Sequence, residues 1–205
     1  AMVAIPAGLG LSALADPILH LLFAARPNEA TIVVPLVRVM GISAILVALS
    51  APINSMLQAV GRVSVPVRLM LIGGILKLAT NFTLVAIPSV NIKGAPFGNI
   101  FCYTAIVCLS LYVLVQTAHI RLNYRSVFLK PLFAGLMCAA AAWASYGIIS
   151  RLISSRLDVF LAIGIGGLVY AAVLLLTKTI TREDVLLLPK GEKIAKILAK
   201  RSLLG

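Results

Sequence analysis

Residues 51–99 read APINSMLQAVGRVSVPVRLMLIGGILKLATNFTLVAIPSVNIKGAPFGN. Two apolar stretches meet at a short basic turn, Val60-Gly61-Arg62, and the second is closed by Ile87-Pro88 and Lys93-Gly94. Each is long enough to cross a hydrocarbon core about 30 Å thick as a helix. Inside the second, Lys77 and Asn81 stand four residues apart, so on a helix they share a face. Lys77 lies near the middle of the run from Ser64 to Ile87. A charge at that depth costs roughly 2.5–3.5 kcal/mol on insertion scales, which marks Lys77 as a residue with a task.

Working outward, the rest of the chain has the same character. Its 205 residues are 61% hydrophobic and 12% charged, with a mean hydropathy of +1.08. A soluble domain carries about twice that charge. Six apolar runs can be laid out: Met2–Phe23, Thr31–Gln58, Ser64–Ile87, Ala95–Ala118, Val127–Ser150 and Asp158–Thr177. Short connections between them make neighbours antiparallel. The expected fold is all-α, a polytopic transmembrane bundle of about six spans over residues 1–178, followed by a basic cytoplasmic tail over 179–205.

The charge pattern orients that bundle. Lys and Arg number 18 against 6 acids. In a soluble protein this excess would suggest nucleic acid, but no basic patch with interleaved aromatics is present. Twelve of the basic residues fall in the second and fourth loops and the tail, among them Arg62, Arg121, Lys193 and Lys200. Four, Arg26, Lys93, Arg151 and Arg156, fall on the other side. The bias places the tail in the cytoplasm, and an even number of spans puts the N-terminal end there too. In the tail, Thr181-Arg182-Glu183-Asp184 forms a capping box. Beyond Pro189, apolar Ile194, Ile197 and Leu198 oppose Lys193, Lys196 and Lys200, as in a helix lying on anionic lipids; a solvated tail is the competing reading.

Other intramembrane polar groups are candidates of lesser weight. Asp16-Pro17 interrupts the first run, and Asp at an N-cap with Pro at the first helical position predicts a break with a helix restarting at Ile18. The alternative is an ion-coupling role for Asp16, with His20 one turn away. Arg38 either snorkels outward or lines a cavity. Asn54 and Gln58, also four apart, suit interhelical hydrogen bonds, and Gly61 suits a helix C-terminus. Gly73-Gly74, Ala139–Ala142 and the glycines at 164, 166 and 167 read as close-packing surfaces. Trp143 and Tyr146 suit an aromatic belt at one interface. Asn81-Phe82-Thr83 matches a glycosylation sequon, but acceptors need an exposed loop. Cys102, Cys108 and Cys138 sit in apolar runs without a CxxC pair and are expected as small buried hydrophobes. No metal spacing, nucleophile elbow or phosphate loop is found, so neither a cofactor nor an enzyme is expected. The chain begins at Ala1, already apolar, and is expected to be part of something longer.

Several short motifs, taken in order, resemble one family. They are Pro6-Ala7-Gly8-Leu9-Gly10-Leu11, Asp16-Pro17-Ile18 with Leu21-Leu22-Phe23, Leu57-Gln58 with Gly61, Pro66, Lys77 with Asn81, Pro88, and Gly94-Ala95 with Gly98. The chain from Ile5 to Thr177 is similar to the C-terminal part of the polysaccharide-exporter and lipid-flippase branch of the multidrug/oligosaccharidyl-lipid/polysaccharide exporter superfamily, including members implicated in spore-cortex peptidoglycan. It departs from that pattern at Pro96 and Asn99, where a small residue and a hydroxyl are expected. The resemblance implies a two-lobe, MATE-like transporter of the cell membrane, with this chain as part of the C-terminal lobe and the missing N-terminal part as its partner. It implies flipping of an undecaprenyl-pyrophosphate-linked saccharide, a peptidoglycan or other polysaccharide precursor, by alternating access. Independently of the resemblance, intramembrane Lys77 and Arg38 without a catalytic constellation read as a transporter of something anionic, with Lys77, Asn81, Arg38, Asn54 and Gln58 as the candidate substrate contacts. A cation-coupled multidrug exporter with the same fold, and a non-transporting membrane partner of cell-wall assembly, remain the alternatives.

Overall fold

In the computed structural model the described residues are 2–24, 27–88, 90–118, 129–152 and 157–176. Among them every regular element is a helix: α1 (Ala4–Ala13), α2 (Ala15–Leu22), α3 (Pro27–Ala59), α4 (Ser64–Val85), α5 (Ala95–Ala118), α6 (Lys130–Leu152) and α7 (Leu157–Leu176). A single 3₁₀ turn, Asn91–Gly94, leads into α5. Four helical stretches are long and apolar enough to cross a membrane: Ala30–Ala59, Ser64–Val85, Asn91–Ala118 and Lys130–Ile149. The bent pair α1–α2 makes five if it counts as one span, and the sixth run is helical but shorter, Asp158–Leu174. Large apolar side chains cover the outside, among them Phe82, Leu78, Val67 and Leu71 on α4 and Trp143 on α6. Such a surface suits acyl chains and not water. The chain reads as a membrane protein. The tail over 179–205 lies outside the described residues.

The chain divides into two compact units, residues 1–122 and 123–205. In the first, α3 is the central element: α1, α2 and α5 pack on it, and α4 packs chiefly on α5. α3 stays one helix of 33 residues through Pro35 and Pro52, although each proline removes an amide donor. Gly8 of α1 meets Gly41 and Ile45 of α3 so closely that neither glycine has room for a β-carbon. One turn on, Ser12 Oγ donates to the Arg38 carbonyl at 2.8 Å. Leu19 of α2 then packs with Ala30 and Val34. α1 and α2 thus descend antiparallel to the N-terminal half of α3.

α3 ends as its sequence dictates. Gly61 takes φ +82°, a left-handed value that costs glycine little. Arg62 N donates to Leu57 O at 2.9 Å and Gly61 N to Gln58 O at 3.0 Å, the paired bonds of a Schellman cap. The turn sends α4 back antiparallel, and a second turn returns α5 parallel to α3.

The break in the first run is real but falls earlier than its residues suggest. The chain bends by 70° between α1 and α2. α2 begins at Ala15, not Ile18, with Leu14 at its N-cap and no side-chain cap. Asp16 and Pro17 are therefore inside the first turn. Proline needs no amide partner anywhere in that turn, so it marks a neighbourhood and not a residue.

The second unit holds α6 and α7 packed together. Ala134, Cys138 and Ala142 of α6 and Val159 and Ala162 of α7 are buried. A β-carbon on Gly166 would lie 2.9 Å from Ala142 Cβ, so this glycine is the close-packing one. Gly164 and Gly167, expected to share that role, face open space.

Candidate functional site: the seam between α4 and α5

Gly73, Lys77 and Asn81 recur every fourth residue and so run along one face of α4. That face meets α5. A β-carbon on Gly73 would lie 2.7 Å from Ile106 Cδ1 and 3.0 Å from Cys102 Sγ. Only a hydrogen fits there. Its neighbour Gly74 meets nothing within 4 Å. Two turns further along, Asn81 Oδ1 occupies the direction a β-carbon on Gly98 would take. The oxygen therefore faces a Cα–H of Gly98, a contact seen where helices approach closely. It has no hydrogen-bond donor and is shut away from solvent.

Lys77 sits between these contacts, half-buried. It lies about 4 Å along the axis from the middle of α4. Among the described residues it makes no ion pair or hydrogen bond. The carboxylate that could have neutralised it, Asp16, is instead 3.5 Å from His20 Nε2 on its own helix. Thr80 and Thr83 add no polar link either, since their hydroxyls bond back to the carbonyls of Leu76 at 2.7 Å and Ala79 at 3.1 Å.

The remaining candidates do not gather around Lys77. Asn54 is buried and accepts a hydrogen bond from Ser110 Oγ at 3.3 Å. That pair joins α3 to α5, and Ser110 is about 12 Å along α5 from Cys102 at 1.5 Å per residue. Gln58, expected to join Asn54 in bonding across helices, is exposed and has no partner among the described residues. Arg38 is exposed on α3, and sixteen residues separate it from Asn54, about 24 Å of helix. One small head group cannot span these positions. The five substrate-binding candidates thus resolve into one polar pair on the α4–α5 seam, a packing hydrogen bond, and two solitary side chains.

Two participants were not singled out from sequence. Ser110 is fully buried; a hydroxyl in an otherwise apolar run was the signal for it. Cys102, on the seam, was read only as filler. Of the three cysteines, Cys102 and Cys138 are buried as expected, but Cys108 is exposed. Among the described residues no cluster of three or more His, Cys, Asp or Glu could hold a metal. No family model, curated protein or solved structure matches the chain, so these residues are interpreted from their own chemistry.

Proposed function

We propose that this chain belongs to a membrane transporter that flips an undecaprenyl-pyrophosphate-linked saccharide, a peptidoglycan or other polysaccharide precursor, across the cytoplasmic membrane. The observation that carries the reading is the ammonium of Lys77 at mid-span, unpaired among the described residues. An uncompensated cation there is costly unless something anionic visits it. A pyrophosphate supplies that charge, and lysine meets it as a point charge with three donors. Asn81 extends the polar stripe by one turn. The distribution of basic residues supports a cytoplasmic tail, and the six-span reading takes α1–α2 as one broken span and α7 as the last. One observation favours a second reading. The Asp16–His20 pair stands beside a helix break in an apolar segment, as ion sites of coupled exporters do.

The two readings separate in vesicles containing the full-length transporter. The flippase moves a labelled undecaprenyl-pyrophosphate disaccharide between leaflets and leaves cationic amphiphilic dyes where they are. Dye export driven by a cation gradient, with the lipid-linked saccharide static, would overturn this proposal in favour of the exporter.

A further inference from the structure

We propose that the α4–α5 seam is a gate, with α4 as the moving element, and that the polar stripe of Lys77 and Asn81 becomes available when it opens. The inference rests on the reading of Lys77 as a substrate-facing cation and says how that cation is reached.

Three observations carry it. The closed seam leaves its own polar groups unsatisfied: among the described residues Lys77 has no counter-charge, and Asn81 Oδ1 is buried without a donor. Separation of the helices lets both find water or an anionic ligand, so opening relieves a cost that closure imposes. The seam is also fastened differently from its neighbours. The α1–α3 contact includes the Ser12 bond to the Arg38 carbonyl, and the α3–α5 contact includes Ser110 with Asn54. Across α4–α5, among the described residues, no side-chain hydrogen bond or ion pair runs; the approach is made by Gly73 against Ile106 and Cys102 and by Gly98 against Asn81, with Gly94 of the preceding turn against Leu84.

Finally, α4 is held by little else. Only 11% of its apolar window is buried, against 33% for the span containing α5, and it meets α3 sparingly. The turns before and after it each contain one left-handed residue, Gly61 at φ +82° and Asn91 at φ +47°. α3 and α5, joined by the Asn54–Ser110 bond, form the fixed side, and α4 forms the leaf.

Cys102 is a native reporter of this motion, because it lies in the seam and is 5% exposed when the seam is closed. The full-length protein in vesicles is treated with a maleimide, with and without undecaprenyl pyrophosphate, and the labelled cysteine is located by peptide mass mapping. Slow labelling of Cys102 that rises several-fold with undecaprenyl pyrophosphate supports the gate. A rate that does not respond overturns it, as does rapid labelling without the lipid, since the resting seam would then not be closed. Transport by Lys77→Gln distinguishes the two levels of the argument. If that variant is inactive and Cys102 is unresponsive, the gate alone falls. If that variant transports normally, the reading of Lys77 falls with it.

Discussion

Lys77→Gln lowers translocation of a pyrophosphate-linked lipid by on the order of 10- to 100-fold, the equivalent of the ~1.5–3 kcal/mol that a hydrogen bond to a charged group contributes. Glutamine keeps much of the length and some hydrogen bonding but removes the charge, so the loss isolates electrostatics. Lys77→Arg keeps part of the activity, because charge is preserved while the planar fork replaces a compact ammonium in a seam narrowed by Gly73 and Gly98. Expression survives in both variants, because Lys77 has no partner among the described residues whose loss would strand a second charge. Transport per mole of protein in vesicles is the measurement. Normal transport by Lys77→Gln would assign the lysine to the scaffold.

The second large effect concerns two glycines on α4 and one on α5. Gly98→Ala should destabilise the protein by roughly 1–3 kcal/mol, the usual penalty for forcing extra volume into a packed contact. The new methyl would collide with the Asn81 amide, whose Cγ lies 2.9 Å from that position. Gly73→Ala should act in the same direction, through Ile106 and Cys102. Gly74→Ala, one residue away, should be neutral or stabilising by about 0.5–1 kcal/mol, since it meets nothing within 4 Å and alanine suits a helix better. Unfolding midpoints in detergent decide the matter. Equal midpoints for Gly73→Ala and Gly74→Ala would mean that α4 does not present the 73-77-81 face to α5.

Those glycines also show where sequence reasoning stops. The pair Gly73-Gly74 announces a close approach, but only one of the two can face a given neighbour. Which one depends on the rotational phase of α4. The Lys77–Asn81 stripe shares a face with Gly73, but the sequence does not say whether that face meets water or a neighbouring helix. The same gap explains Cys108, assigned to the interior by its apolar setting and found exposed, and the glycines around Gly166. What the sequence does carry is local. The extents of the helices from the second run to the fourth follow from hydropathy, the left-handed cap from Gly61 after a long run, and the shared face of Lys77 and Asn81 from helical spacing. Partners across helices are a different kind of information. Asn54 was a visible candidate for an interhelical bond, yet nothing near it names Ser110, fifty-six residues away. The break at Leu14 is intermediate: Asp16-Pro17 signals it, but proline tolerates several positions in a first turn.

The central claim, that α4 spans a membrane with one wet face and one lipid face, can be tested directly. In a background with Cys102, Cys108 and Cys138 replaced by serine, single cysteines are placed at Lys77, Leu78 and Phe82 and treated with a water-soluble thiol reagent in intact vesicles. Leu78 is 72% and Phe82 is 82% exposed in the bare protein, whereas Lys77 is half-buried. The account predicts the reverse order of reactivity. With undecaprenyl pyrophosphate present to open the seam, Lys77→Cys reacts because water reaches it, while Leu78→Cys and Phe82→Cys stay unmodified among acyl chains, where a thiol does not ionise. Rapid modification at positions 78 and 82, with position 77 protected, would contradict it.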